Sequence, residues 1–221
     1  MKLVFYSGGH EEENTLLDQQ LLKLVGKEDP LITFIPSCSY ESELYFKEFI
    51  EQYQRFGVRR FLHFPIDIPY DDILLNEVLK SDVIHLGGGN TFYFIKHLKK
   101  TGMLSRLKSF VKEGGILTGL SAGAIIMSPR IDTASFPEFD CDENDDNVRS
   151  FKAMNLVHFE FFPHYKNSKR YDKELLKYSK QRGIPLYACP DGSGIIVDHE
   201  NVTFSGKTYC FFQGKKTMIN N

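Results

Sequence analysis

Short apolar runs alternate with segments of helical spacing through the first half of the chain. That alternation limits the fold to very few architectures. The runs fall at 2–6, 31–36, 60–64, 83–86 and 116–118, and each is bounded by Gly, Pro or polar residues, as buried strands are. Between them, segments 14–25, 42–56, 71–80, 91–99 and 104–112 carry apolar residues at helical intervals. In 14–25 these are leucines behind a candidate cap, Asn14. In 42–56 they are Leu44, Tyr45, Phe49, Tyr53 and Phe56, expected on the inner side. Strand–helix repetition of this kind predicts an α/β fold, a mostly parallel sheet with helices on both faces in three layers. At 221 residues a single domain over 1–221 is expected. Beyond residue 150, an apolar extended segment at 154–162 and a helix at 171–181 precede short strands at 186–189, 195–197, 202–204 and 208–212. These predict an antiparallel end to the sheet.

Several function classes fall away on composition. A formal net charge of −2 gives no basis for binding nucleic acid. No apolar run is as long as a membrane span. The apolar start at 2–6 is too short for a signal peptide and stops at Ser7-Gly8-Gly9. Cys38, Cys141, Cys189 and Cys210 lack metal-like spacing and read as free thiols of a cytoplasmic protein. The acidic stretch 138–146 resembles the start of a calcium loop, but Asp145 stands where glycine is needed and Phe151 where glutamate is. It reads as a solvated loop.

The strand at 116–118 runs into Gly119-Leu120-Ser121-Ala122-Gly123 and then into further apolar residues. Gly-x-Ser-x-Gly between a strand and a helix is the pattern of a nucleophile elbow, which raises a serine hydroxyl above a sheet edge; a plain glycine-rich turn is its local alternative. A serine nucleophile needs a base, and the base needs an orienting carboxylate. His164, placed by Pro163 after the 154–162 segment, is the candidate base among seven histidines. His63, His85 and His158 fall in strand-like runs, while His10, His97 and His199 have polar surroundings. Asp191, in Pro190-Asp191-Gly192 after a strand, is the candidate acid, with a simple Asp-Gly turn as its local alternative and Asp132 as its rival. Acyl transfer also needs N–H donors for the oxyanion. The N–H of Ala122 is one, and Gly88 or Gly89 of the Gly87-Gly88-Gly89-Asn90 turn is the other. A phosphate loop is the alternative there, but the Lys-Ser/Thr ending of a P-loop is missing.

Taken together, Gly87-Gly88-Gly89-Asn90-Thr91-Phe92, Gly119-Leu120-Ser121-Ala122-Gly123-Ala124, Asn155-Leu156-Val157, Phe162-Pro163-His164-Tyr165 and Pro190-Asp191-Gly192 resemble the peptidase E family of serine peptidases. These are aspartyl dipeptidases, with cyanophycinases as relatives. The resemblance implies a class I glutamine amidotransferase-like fold with serine in place of cysteine. It implies Ser121 as nucleophile and His164 as base. It implies hydrolysis of short peptides, after an N-terminal aspartate in the best-known members, without metal or cofactor. The family often has glutamate where this chain has Asp191, and an aspartate some descriptions add to the triad aligns near Phe136. The segment after the histidine is shorter than in aspartyl dipeptidases, so Arg170 or Lys169 would take the place of the basic residue that reads the aspartate, with Asn90 as a further substrate contact. The expected partner is a small peptide, bound by a monomer or homodimer. The alternatives are an esterase, a cyanophycinase-like hydrolase and a catalytically silent binding protein; an α/β-hydrolase esterase would have its acid before the histidine, whereas Asp191 follows His164.

Overall fold

The structure is a computed structural model that describes residues 1–220. Its frame is the expected alternation: β1 (Lys2–Tyr6), α1 (Thr15–Val25), β2 (Leu31–Ile35), α2 (Ser42–Gln54), β3 (Arg60–His63), α3 (Asp72–Val78), β4 (Val83–Leu86), α4 (Thr91–Lys100), α5 (Met103–Lys112), β5 (Ile116–Leu120) and the short α6 (Ala122–Met127). Strands β3, β2, β4, β5 and β1 lie side by side in that order, all parallel. β8 (Gly194–Asp198) and β9 (Asn201–Ser205) extend the same sheet antiparallel beyond β1.

Strand alternation sorts the core into two halves. Leu3, Phe5, Ile84, Leu86 and Leu117 face α3, α4, α5 and α6, and Val4, Tyr6, Ile32, Phe34 and Val83 face α1 and α2. Both faces are covered, which is why these strands read as continuous apolar runs. Each fully buried side chain of this kind contributes about 1.5–3 kcal/mol. The fold is thus three-layered α/β. Among the described residues no helix is long and apolar enough to cross a membrane.

Three expectations need correction. In α2 the buried stripe is Ser42, Phe49 and Tyr53, while Leu44 and Tyr45 are exposed. Leu44, two residues along from Ser42, is on the far side of the helix, and Tyr45 lies about 60° off the stripe, at its open rim. The segment 154–162 is extended only at its end, as β6 (Glu160–Phe162); before it, Met154 and Leu156 donate backbone N–H groups to Ile126 and Met127 at the end of α6. The C-terminal strands divide between two sheets: β8 and β9 are the expected antiparallel end of the main sheet. β7 (Leu186–Ala188), β10 (Thr208–Phe212) and the unanticipated β11 (Lys215–Asn220) join β6 in a second sheet, ordered β11-β10-β7-β6. β6 and β7 are parallel, joined through α7 (Lys169–Ser179). This sheet has its own core, with Phe162, Tyr165, Leu175, Leu186 and Phe211.

Candidate active site

Strands β4, β5 and β1 are adjacent and parallel, with Leu86 opposite Gly119 and Leu120 opposite Tyr6. Their carboxyl ends therefore bring Gly87, Ser121 and Ser7 to one edge of the sheet, the usual position of sites in open α/β sheets. Ser121 has φ 49° and ψ −108°, a left-handed backbone at a non-glycine residue. Such strain costs on the order of 1–3 kcal/mol and persists only where the surroundings hold it. Here the Ser121 N–H donates to Tyr6 O at 3.0 Å, and its carbonyl accepts from Ile125 at 3.0 Å. The flanking glycines are required by contact. A Cβ on Gly119 would lie 2.5 Å from Ala124 N, and one on Gly123 would lie 2.6 Å from Leu86 Cβ. Strand, elbow and helix thus pass one another at backbone distance.

The second sheet delivers the other two side chains. β6 and β7 pair in parallel with Phe162 opposite Ala188. The pairing continues as Cys189 N–H to Phe162 O and Tyr165 N–H to Cys189 O, both 3.0 Å, so the chain carries His164 and Asp191 past the same end. His164 Nε2 lies 2.8 Å from Ser121 Oγ, and His164 Nδ1 lies 2.7 Å from Asp191 Oδ1. An ionised carboxylate only accepts, so with Asp191 ionised Nδ1 carries the hydrogen and, in the neutral ring, Nε2 is left to accept from the serine hydroxyl. Both side chains are about half exposed, so substrate reaches them directly.

Ser7 joins the two sheets. It is fully buried, and its Oγ donates to Cys189 O at 2.6 Å while accepting from the His164 N–H at 2.8 Å. Its own N–H donates to Ser193 O at 3.0 Å. Gly8 follows and packs flat against the imidazole–carboxylate pair: a Cβ there would lie 2.5 Å from His164 Nδ1, and closer still to His164 Cε1 and Asp191 Oδ1. In the sequence Ser7-Gly8-Gly9 reads only as the stop of a strand. The available signal was a small-residue turn straight after a buried strand, the same signature as at Gly87-Gly88-Gly89.

The remaining candidates fall as follows. As the first residue of α6, Ala122 has an N–H without an acceptor inside the helix. Gly88 is beside Ser121, since a Cβ on it would meet Ser121 Cβ at 3.7 Å. Gly89 lines the cavities on both sides of the elbow. Asp132 is paired with Arg130, at 2.6 and 3.1 Å, and not with the imidazole. Asn90 caps α4, accepting from Tyr93 N–H at 2.9 Å and donating to Glu143 O at 2.8 Å. Arg170 Cζ stacks 3.3 Å over the Phe139 ring, and Lys169 opens α7 in solvent. Of the other histidines, His85 is buried with Nδ1 2.7 Å from Thr118 Oγ1, and burial pulls its pKa down to about 3.

The acidic segment 138–146 is not simply solvated, which corrects the expectation. It straps the start of α4: Thr91 N–H donates to Asp142 Oδ2 at 2.8 Å, and Tyr171 OH donates to Asp140 Oδ2 at 2.5 Å. Carboxylates favour a helix N-terminus because the free N–H groups point at them. The strap forms one wall of an open cavity of about 550 Å³ lined also by Ser121, His164, Thr91 and Thr133. The Thr91 and Thr133 hydroxyls are buried without a hydrogen-bond partner.

The sequence model of peptidase family S51 matches residues 3–205. An uncharacterized peptidase of Listeria monocytogenes is 29% identical over 211 residues, covering 94% of this chain and 96% of its own. Peptidase E of Escherichia coli is 28% identical over 151 residues, 62% of each chain. Among solved structures, one from Listeria monocytogenes, described as a candidate peptidase E, superposes with a TM-score of 0.70 at 25% identity, covering 92% of this chain and 97% of its own. A peptidase from an acI-B1 actinobacterium gives a TM-score of 0.73 at 16% identity over 99% and 93%, a likeness of fold.

Proposed function

We propose a reaction from one premise: the chain belongs to peptidase family S51 and is a serine-type peptidase. The reaction is hydrolysis of short peptides through an acyl-enzyme. Ser121 Oγ attacks the scissile carbonyl as His164 Nε2 takes its proton, and Asp191 holds the imidazole in the required tautomer and stabilises its charged form. The N–H of Ala122 and one from Gly88 or Gly89 receive the developing oxyanion. His164 then gives its proton to the leaving amine, and water attacks the acyl-enzyme with His164 again as base. The observation that carries this reading is the unbroken hydrogen-bond chain Ser121–His164–Asp191, at 2.8 and 2.7 Å.

Short substrates follow from the strap, which walls the cavity beside Ser121. For an N-terminal aspartate, Arg170 is the candidate cation, stacked on Phe139, which lines the cavity. Asp140 and Asp142 share that wall and oppose it. The free cysteines fit a cytoplasmic location.

The test is labelling by a fluorophosphonate. Wild type labels, and a folded Ser121→Ala does not; a folded wild type that stays unlabelled refutes the acyl-enzyme. Asp-x, Glu-x and Ala-x dipeptides beside a simple ester then separate a peptidase from an esterase.

A further inference from the structure

On the α1–α2 side of the elbow lies a larger cavity, about 910 Å³, which Gly88, Gly89 and Leu120 connect to the nucleophile. Its charge is one-sided. Glu11, Glu12, Glu41 and Glu48 line it, and among the described residues no lysine or arginine does. Its walls are aromatic, with Tyr6, Phe34 and Phe49 buried inside and Tyr40 and Tyr45 exposed. Two histidines, His10 and His85, also line it; burial holds the His85 pKa near 3, so that ring stays neutral. The neighbouring Arg55 lies at the edge of the cavity, where it is 3.5 Å from Asp18 Oδ2 and donates to the backbone carbonyl of Glu11 at 2.7 Å. It therefore neutralises none of the four glutamates at hydrogen-bond range.

A second feature points to a bound donor. Asn14 lines the same cavity and is only 4% exposed. Its amide nitrogen donates to Gly9 O and His10 O, but its Oδ1 is buried without a partner. A buried acceptor left unpaired costs about 1–3 kcal/mol, a cost that a ligand N–H removes. Carboxylates above low-dielectric walls concentrate negative potential, and aromatic faces attract cations further. A substrate carboxylate is repelled by the same arrangement.

We propose that this cavity binds the side chain of a lysine or arginine flanking the scissile bond, so that the enzyme favours cationic peptides over acidic ones. The proposal rests on the peptidase reading of Ser121. The cavity is far larger than an ammonium group at a peptide terminus needs, and its carboxylates come from the turn before α1 and the first turns of α2, which suits a long side chain.

The experiment compares dipeptides and tripeptides carrying Lys, acetyl-lysine, Arg, citrulline or Glu on either side of the bond. The expected result is a kcat/KM for Lys or Arg roughly tenfold or more above the neutral isostere, on one side of the bond only, with Glu lowest; the preference shrinks severalfold between low and high salt as screening sets in. The double variant Glu12→Gln/Glu48→Gln is expected to lower the Lys to acetyl-lysine ratio. Calorimetric binding of the same peptides to Ser121→Ala reads the cavity without turnover, so the proposal is tested even if the reaction is not the one proposed. Equal kcat/KM, or equal affinity, for Lys and acetyl-lysine peptides overturns it. Fluorophosphonate labelling in the same preparation shows separately whether the serine reading stands.

Discussion

Replacing Gly8 by alanine is the most direct test of how His164 is held. A Cβ there would lie 2.5 Å from His164 Nδ1, with His164 Cε1 and Asp191 Oδ1 closer still. Ordinary contact begins near 3.4 Å, so the imidazole–carboxylate pair must retreat by about 1 Å. A retreat of that size away from the serine takes Nε2···Oγ from 2.8 Å to nearly 4 Å, beyond hydrogen-bond reach. Misplacement by about 1 Å costs on the order of 100-fold in rate. Stability falls far less. Gly8 is outside the left-handed region, so alanine brings no backbone strain, and His164 and Asp191 are half exposed and free to yield outward. The expected result is a kcat for a good peptide substrate lowered about 100-fold or more, KM nearly unchanged, and a cooperative thermal transition retained. Gly8→Ala folded and within about threefold of wild-type kcat would refute the claim that this contact fixes the pair.

Four further outcomes are expected. Asp191→Asn lowers kcat by about 10³–10⁴-fold, because an amide favours the wrong tautomer, whereas Asp132→Asn stays within a few-fold; steady-state kinetics on both decide which carboxylate serves the imidazole. Ser7→Ala removes the acceptor of the His164 N–H and the buried donor to Cys189 O, and costs about 1–3 kcal/mol in urea unfolding, with kcat also reduced. Gly123→Ala forces a Cβ into Leu86 and yields little folded protein, read as soluble yield beside wild type. His85 is depressed from 6.5 to about 3, so the unfolded chain takes its proton first: this stability is full above pH 6.5 and is lost on acidification toward pH 3 at about 1.4 kcal/mol per pH unit. His85→Asn is expected to flatten that slope in urea titrations between pH 6.5 and 4.

Legibility in the sequence followed how local each determinant is. The parallel strands were readable because burial on both faces makes them continuously apolar, as at Leu3, Val4 and Phe5. β11 was not, since Lys215, Lys216 and Thr217 belong to an exposed edge strand with no apolar alternation to betray it. The second sheet as a unit was hidden for a related reason. Strands of three residues, Glu160–Phe162 and Leu186–Ala188, acquire their partner only in space. At the site, the order of Ser121, His164 and Asp191 was visible, but the choice between Asp191 and Asp132 depends on which carboxylate meets Nδ1, and Arg130 beside Asp132 bears on that only through folding. The strap escaped because nine mostly acidic residues look solvated until the N-terminus of α4 is placed beneath them.

The arrangement has a consequence for how the site responds to damage. Ser121 belongs to the seven-stranded sheet and His164 with Asp191 to the four-stranded one, so the 2.8 Å Ser121–His164 contact measures the docking of two cores. Ser7 ties them at the point of contact, with its hydroxyl spent on both His164 N–H and Cys189 O. A cavity made in the smaller core, around Tyr165, Leu175 or Phe211, loosens His164 and Asp191 while leaving the elbow held by Tyr6 O, Gly119 and Gly123. The strained φ of Ser121 is therefore a property of the large sheet alone, and the hydrogen bond that would activate its hydroxyl is a property of both.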